Sequence, residues 1–479
     1  MQPVEAAEYD VIVIGGGPAG ENVADRVVKA GLSAVVVEAE RVGGECSYWA
    51  CIPSKAMLRP GAALEAARAV AGAREAVTGS LDAAAVLARR DSFVSDWDDS
   101  GQVQWLKGAG ITLARGRGRL VGERRVAVTA DDGTETGLTA RHAVVLATGT
   151  GAALPPLPGL ADIGAWTSRE ATSAHAVPPR LSILGGGVVA CEMATAWNAL
   201  GTQVTMLVRD DVLLSSWEPF VGEAVAEELR SSGVDVRTGV TVQRVGRERP
   251  DAPVAAELGD GSTVLSEEFL VAVGRTPSTA ELGLETAGLT PGSWLEVDDT
   301  CRVTAVEQGW LYAVGDINRR APLTHMGKYQ GRTCAAAIVA RAEGRSTPAE
   351  PWAAWTATAD HGAVPQVLFT HPEAASVGLT LARAESAGLP VRAVDYPIGQ
   401  VSGAALSADG YQGQARLVVD EERSLVLGCT LVGPGVGELI HAATVAIVGE
   451  VPLQRLWHAV PAFPTTSELW LRLLEQYGL

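Results

Sequence analysis

The chain has 479 residues, of which 47% are hydrophobic and 20% charged, a length and composition expected of a globular protein with roughly three or four domains. Its formal net charge of -18 argues against a nucleic-acid partner, and no apolar run reaches the length of a membrane span. The first residues, Met1-Gln2-Pro3-Val4-Glu5, lack a basic region followed by an apolar run, so no signal peptide is read and a cytoplasmic location is expected. Among the 6 cysteines, Cys191, Cys301, Cys334 and Cys429 are scattered and read as small buried hydrophobes rather than a disulfide scaffold.

The first predicted element is a strand over residues 9–14, an apolar run suited to a parallel strand buried on both faces. The glycine run from Gly15 to Gly20 opens a helix, and a second strand over residues 34–37 ends at Glu38. This is a βαβ unit with an acid at the dinucleotide-binding spacing. Gly15 permits the tight turn, Gly17 lets a pyrophosphate approach the helix N-terminus, and Gly20 lets helix and strand pack closely. Just downstream, Cys46 and Cys51 are separated by Ser47-Tyr48-Trp49-Ala50 and followed by Ile52-Pro53-Ser54-Lys55. Two cysteines so placed after a nucleotide fingerprint point to a redox-active disulfide lying against a flavin. A helix opening at residues 52–54 is expected to lower a thiol pKa at its N-terminus. The aromatic pair Tyr48 and Trp49 has two readings, one lining a substrate pocket and the other packing beneath the flavin.

Residues 143–149 form another buried strand ending in Thr148-Gly149, and the proline-rich stretch 154–159 reads as a linker. The fingerprint then repeats. A strand over residues 181–184 leads into Gly185-Gly186-Gly187, and the strand 203–208 ends at Arg209. Two such units imply two dinucleotides, a bound flavin and a diffusible nicotinamide cofactor. Arginine where the first unit has Glu38 favours a 2′-phosphate, hence NADPH. Residues 270–275 read as the strand closing the second nucleotide domain, and residues 311–316 as a strand ending in Asp316. From about residue 351 no fingerprint remains. Strand patterns at 366–369 and 415–419, with helical patterns at 439–448 and 468–474, suggest an α+β domain.

Taken in order, the flavin fingerprint, the two cysteines, Ala147-Thr148-Gly149, the second fingerprint, Gly274-Arg275-Thr276-Pro277, Gly315-Asp316 and Phe369-Thr370-His371-Pro372 resemble the pyridine nucleotide–disulfide oxidoreductases. That family includes dihydrolipoamide dehydrogenase, glutathione reductase and mercuric reductase. The resemblance implies an α/β fold with two Rossmann-like dinucleotide-binding domains and an α+β C-terminal dimerisation domain. The implied boundaries are 1–155 for FAD, 156–277 for NAD(P)H, 278–350 for a central domain completing the FAD site, and 351–479 for the dimer interface.

The resemblance also assigns roles. Glu38 would hold the FAD ribose, the Gly118 backbone would meet the adenine, and Asp316 would bind the ribityl chain. Gly44, Thr148 and Gly149 would also line the FAD site, and the helix starting at Thr324-His325 would point its N-terminus at the flavin ring. Gly185, Gly187, Arg209 and Gly274 would hold NADPH. Val188 stands where glutathione reductase has a gating tyrosine. Lys55 and Glu192 match an ion pair beside flavin N5, where a cation stabilises negative charge on the reduced ring. Cys51 would be the thiol nearer the flavin and Cys46 the outer thiol that attacks substrate. No metal site is expected, and the active site is expected to be shared across a homodimer.

One departure stands out. Most members read His-Pro-Thr-x-Ser-Glu near the C-terminus, a histidine supplied to the partner's thiol and oriented by the glutamate. Here Phe463 takes the histidine position and Glu468 keeps the glutamate. Phenylalanine transfers no proton, and general acid–base catalysis typically contributes about 10²–10⁴-fold. His458 upstream reads as a structural or surface residue rather than a displaced base. The chain lacks the C-terminal cysteines that mercuric reductase uses as metal ligands. The 2-ketopropyl coenzyme M reductase/carboxylase also carries phenylalanine at this position, but replaces the glutamate that Glu468 retains. The leading reading is an FAD-dependent NADPH oxidoreductase that cycles Cys46 and Cys51 to reduce a disulfide-like or other electrophilic small molecule without a histidine acid. The alternatives are a quinone or dye reductase, a carbon–sulfur cleaving enzyme like that carboxylase, or a non-catalytic nucleotide-binding subunit.

Overall fold

The structure, a computed structural model, describes residues 7–479, so the reading of residues 1–5 lies outside the described residues. Two units form, each with its own cores. The first comprises the chain up to Ile52, Val94–Gly151 and Arg275–His361; the second comprises Pro53–Phe93, Ala152–Gly274 and Gly362–Leu479.

In the first unit, strands Thr112–Arg115, Ala34–Glu38, Ala7–Ile14 and Glu135–Leu146 lie side by side in parallel, with Leu311–Ala313 also paired to Glu135–Leu146. Their residues alternate between two cores, as a period of two requires. Val11, Val13, Val36 and Val145 enter one cluster with the helices Pro18–Lys29 and Thr324–Ala342. Ile12, Ile14, Val37 and Leu146 enter the other, with Leu120 and Leu284. Burial on both faces explains why these strands are apolar without interruption. The antiparallel strands Arg125–Thr129 and Arg117–Gly122 complete the sheet. The parallel strands place Gly15, Glu38, Ala147 and Val314 at one edge, their carboxyl ends, where open α/β sheets bind ligands.

The second unit repeats the plan on a smaller scale. Strands Asp235–Arg237, Gln203–Leu207, Arg180–Leu184 and Glu268–Val271 form a parallel sheet. A three-stranded antiparallel sheet of Val242–Arg247, Val254–Leu258 and Thr263–Ser266 accompanies it. The last third of the chain forms a five-stranded antiparallel sheet in the order Gln366–Leu368, Ala374–Gly378, Leu425–Val432, Gln414–Asp420, Val391–Pro397. Helices Ile440–Val448 and Leu469–Tyr477 cover it, burying Ile440, Ala443, Leu469 and Leu473. The strand read over residues 270–275 stops at Val271, because Gly274 takes φ +141°, and Arg275–Pro277 is a separate short strand. Among the described residues no helix is long and apolar enough to cross a membrane.

Candidate active site

The first fingerprint is built as a dinucleotide cradle. Gly15 has φ +107°, and a Cβ there would lie 2.4 Å from the Ala147 carbonyl oxygen, so only glycine makes this turn. Gly20 sits over the Gly15 carbonyl, where a Cβ would be 2.0 Å away. Gly17 caps the Pro18–Lys29 helix, and a Cβ on Gly44 would come within 2.9 Å of its Cα. Bare backbone therefore faces the helix N-terminus, where an anionic group gains most. Glu38 closes the strand end. Its Oε2 accepts from the Gly16 N–H at 2.6 Å and its Oε1 from Glu40 N–H at 2.7 Å, while burial pushes its carboxyl above the ordinary value. Gly118 packs where a Cβ would lie 2.9 Å from Val37 Cγ1 and 3.1 Å from Ile14 Cγ2. Thr148 and Gly149 are tied to Ser278 through Thr148 Oγ1 donating to its carbonyl at 2.9 Å and the Ser278 N–H donating to Gly149 at 3.0 Å. Asp316 accepts from Thr150 Oγ1 at 2.9 Å. These residues fit a dinucleotide, with bare glycine backbone at the helix N-terminus and the Glu38 carboxylate at the strand end.

Both cysteines stand at the edge of this cradle. Cys46 lies in the short helix Gly44–Tyr48, and Cys51 is the first residue of the helix Cys51–Arg68. Both are thiols outside any disulfide and half-buried. They are hydrogen-bonded to each other, and this contact first, with burial second, drives the Cys46 thiol far above its ordinary pKa; Thr324 and Lys328 oppose the rise. The expected lowering of a thiol pKa by the helix N-terminus is therefore not seen at Cys46, because a thiol donating to a neighbouring sulfur keeps its proton. Cys51 Sγ lies 3.2 Å from Thr324 Oγ1, at the start of Thr324–Ala342. His325 follows, exposed, on the same first turn. Tyr48 and Trp49 resolve toward packing. They are 1% and 9% exposed and cluster with Val94 and Trp97, and Arg41 lies over both rings at 5.8 and 5.3 Å.

The second unit holds the other charged pair. Lys55 Nζ is 2.7 Å from Glu192 Oε2, with the glutamate side chain only 4% exposed. The Phe369 N–H donates to Glu192 Oε1 at 3.1 Å, and the Phe369 ring lies 4.9 Å from Lys55 Nζ. Gly185 repeats the Gly15 turn with φ +128°, where a Cβ would meet the Ala272 carbonyl oxygen at 2.4 Å. Gly187 caps the Val188–Ala199 helix with open space around it, and the Gly274 carbonyl accepts from Ala153 N–H at 2.9 Å. Arg209 projects into solvent, 85% exposed, near Asp210 at 3.6 Å. An open glycine-lined helix N-terminus with an exposed guanidinium at the following strand's end fits a second dinucleotide.

Comparison with known proteins agrees with this geometry. The profile described as pyridine nucleotide-disulphide oxidoreductase matches residues 9–342, and that of the family's dimerisation domain matches residues 364–473. The chain belongs to the pyridine nucleotide–disulfide oxidoreductases. It is thus an NAD(P)H-dependent flavoprotein disulfide oxidoreductase by family, with a C-terminal dimerisation domain. Dihydrolipoyl dehydrogenase of Haloferax volcanii is 33% identical over 482 residues, spanning 98% of this chain and 96% of that protein. Mercuric reductase of Staphylococcus aureus is 29% identical over 464 residues, spanning 96% of this chain and 81% of that protein. The Cu(II) complex of the HOCl-induced flavoprotein disulfide reductase RclA from Escherichia coli shares the fold with a TM-score of 0.83 at 22% identity, covering 98% of this chain and 99% of that one. LpdA from Mycobacterium tuberculosis also superposes at 0.83, with 24% identity and coverage of 99% and 100%.

The C-terminal segment is apolar at its surface. Phe463 is 74% and Val460 85% exposed, with Trp457 exposed beside them. Glu468 is buried; Arg472 donates to its Oε1, and its Oε2 has no partner among the described residues. Sequence reasoning noted Arg275 only as part of a motif. Its Nε donates to Thr150 Oγ1 at 2.5 Å, and the guanidinium lies 3.8 Å from Glu45 and 4.0 Å from Asp316. An arginine inside an otherwise apolar stretch was the available signal. Glu21 was also missed: burial raises its carboxyl to about 7, against the opposing charge of Lys328.

Proposed function

We propose that this chain is an NADPH-dependent disulfide reductase of small molecules in which Cys46 and Cys51 alternate between disulfide and dithiol and no histidine serves as acid. The observation that carries this reading is the thiol–thiol contact of Cys46 and Cys51 beside Thr324, in the unit that holds the flavin cradle. FAD bound there would take a hydride from NADPH and pass the electron pair to the Cys46–Cys51 disulfide. The residues do the rest. Cys51, held by Thr324, is the inner thiol. Cys46 as thiolate attacks one sulfur of an acceptor disulfide, forming a mixed disulfide and expelling a thiolate. Cys51 then attacks Cys46 Sγ, restoring the protein disulfide and expelling the second thiolate.

The exposed guanidinium of Arg209 supports a preference for the 2′-phosphate of NADPH. The exposed apolar segment carrying Val460 and Phe463 supports a homodimer in which that segment roofs the partner's thiols. With no residue at 463 to protonate the leaving thiolate, acceptors with acidic thiol products should react fastest.

The test is turnover of Cys46→Ser with NADPH and an aryl disulfide or a quinone. Loss of disulfide reduction with quinone reduction retained supports the proposal. Unchanged disulfide reduction would move the chemistry to the flavin alone.

A further inference from the structure

Between Cys46 and Cys51 the chain carries two adjacent aromatic residues, Tyr48 and Trp49. The short helix Gly44–Tyr48 holds Cys46, Trp49 caps it by donating its N–H to the Glu45 carbonyl at 2.8 Å, and Cys51 begins the next helix. The separation of the two cysteines is therefore set through the backbone of Trp49 and Ala50. Both rings are buried. Arg41 stands over them, its guanidinium 5.8 Å from the Tyr48 centroid and 5.3 Å from that of Trp49, distances at which cation and ring attract.

The guanidinium is held in turn by a strained segment. Ser95, Asp96 and Trp97 take φ of 51°, 51° and 59°, consecutive left-handed residues of which none is glycine. Such a backbone costs free energy at each residue and persists only where its surroundings hold it. Arg41 Nε donates to the Trp97 carbonyl at 2.6 Å. Val94, just before the run, packs with Tyr48 and Trp49. Asp99, just after it, accepts from the Val42 N–H and from Arg115, both at 2.8 Å. The run is thus tied at its start, its end and its carbonyl to the segment that leads through Cys46 to Trp49.

Resting on the reading of Cys46 and Cys51 as a redox pair, we propose that Arg41, braced by the left-handed run at Ser95–Trp97, is a positioning residue that clamps the Tyr48–Trp49 loop and keeps the two cysteines within bonding reach. A disulfide needs its Cα atoms within about 4.4–6.8 Å of each other, and a clamped loop holds the dithiol near that separation. The two sulfurs then meet at high effective concentration. The clamp favours the disulfide over the dithiol at equilibrium. It also hastens resolution of a mixed disulfide. The Cys51 thiolate attacks Cys46 Sγ, the new S–S bond forms as the Cys46–acceptor bond breaks, and the acceptor sulfur leaves as a thiolate.

The experiment equilibrates the holoenzyme with graded ratios of reduced to oxidised dithiothreitol, which takes the electron pair from or returns it to the protein as one S–S bond exchanges for another. The state of Cys46 and Cys51 is trapped by acid and alkylation and read by mass spectrometry of the peptide carrying both. Arg41→Met should shift the equilibrium constant about tenfold toward the dithiol. Arg41→Lys keeps the cation but loses the Nε–H to Trp97, and should shift it the same way by about threefold. Arg90→Met loosens the other unit and should leave the constant at its wild-type value, separating the clamp from general destabilisation. A constant unmoved or shifted toward the disulfide in Arg41→Met, or an equal shift in Arg90→Met, overturns the assignment. Should Arg41→Met not fold, an unmoved constant in Arg41→Lys overturns it instead. A wild type whose cysteines never convert between disulfide and dithiol would sink the redox pair itself, whereas conversion with an unmoved Arg41→Met constant would sink only the clamp.

Discussion

Phe369 holds Glu192 by its backbone and faces Lys55 by its ring: the N–H reaches Glu192 Oε1 at 3.1 Å while the ring centroid is 4.9 Å from Lys55 Nζ. The cation is thus fixed from two sides, by a buried carboxylate on one helix and by an aromatic face contributed by the C-terminal third of the chain.

The two halves of that pair should respond unequally to mutation. Lys55→Met leaves the Glu192 carboxylate, 4% exposed, buried without its cation, which should cost about 3–5 kcal/mol. Glu192→Gln keeps an acceptor for Phe369 and leaves a lysine that water can reach, so its cost should be nearer about 1 kcal/mol. Urea unfolding of the two variants checks the order; equal losses would contradict it.

Phe369→Leu keeps the backbone donor and removes only the aromatic face. The loss of cation–π attraction should be about 0.5–2 kcal/mol. Thermal unfolding should show that loss in Phe369→Leu and its recovery in Phe369→Trp. A stability that follows neither substitution would leave the ring with a packing role alone.

Arg90 is fully buried and donates to the Thr172 and Ala174 carbonyls at 2.5 and 2.9 Å and to Asp91 at 2.5 Å. Arg90→Met should therefore cost about 3–5 kcal/mol by leaving these acceptors unpaired. Thermal unfolding of the variant measures it, and a change within about 0.5 kcal/mol would contradict the account.

Glu21 gives a pH signature. Its folded carboxyl is raised to about 7, chiefly by burial, against an unfolded value of about 4.3. A raised acid stabilises the fold fully below the unfolded value and loses that contribution as pH rises through the folded one. Stability should therefore fall between about pH 4.3 and pH 7, by about 3–4 kcal/mol, and stay level above. Glu21→Gln should flatten this slope. Denaturant midpoints at pH 5 and pH 8 decide it: an unchanged slope in the variant would place the titration elsewhere.

What the sequence made legible was local. The glycine turns at Gly15 and Gly185, the strand ends at Glu38 and the helix opening at Thr324 follow from spacing, because each is specified within a few residues. The strand expected over 270–275 failed at Gly274, whose positive φ breaks an apolar run that otherwise reads as continuous. Tyr48 and Trp49 could be read either way, since an aromatic pair gives no sign of what covers it. Val94, Trp97 and Arg41, which cover it, come from separate segments. Arg275 was legible as part of a motif, but its partners Thr150, Glu45 and Asp316 meet it only through the fold.

The most direct test of the account is an anaerobic titration of the holoenzyme with NADPH, followed by absorbance. The account predicts a long-wavelength thiolate-to-flavin band at two-electron reduction of the wild type, present in Cys46→Ser before any NADPH is added, and absent in Cys51→Ser. Bleaching of the flavin without that band in the wild type would contradict it, and would mean that Cys46 and Cys51 take no part in electron transfer.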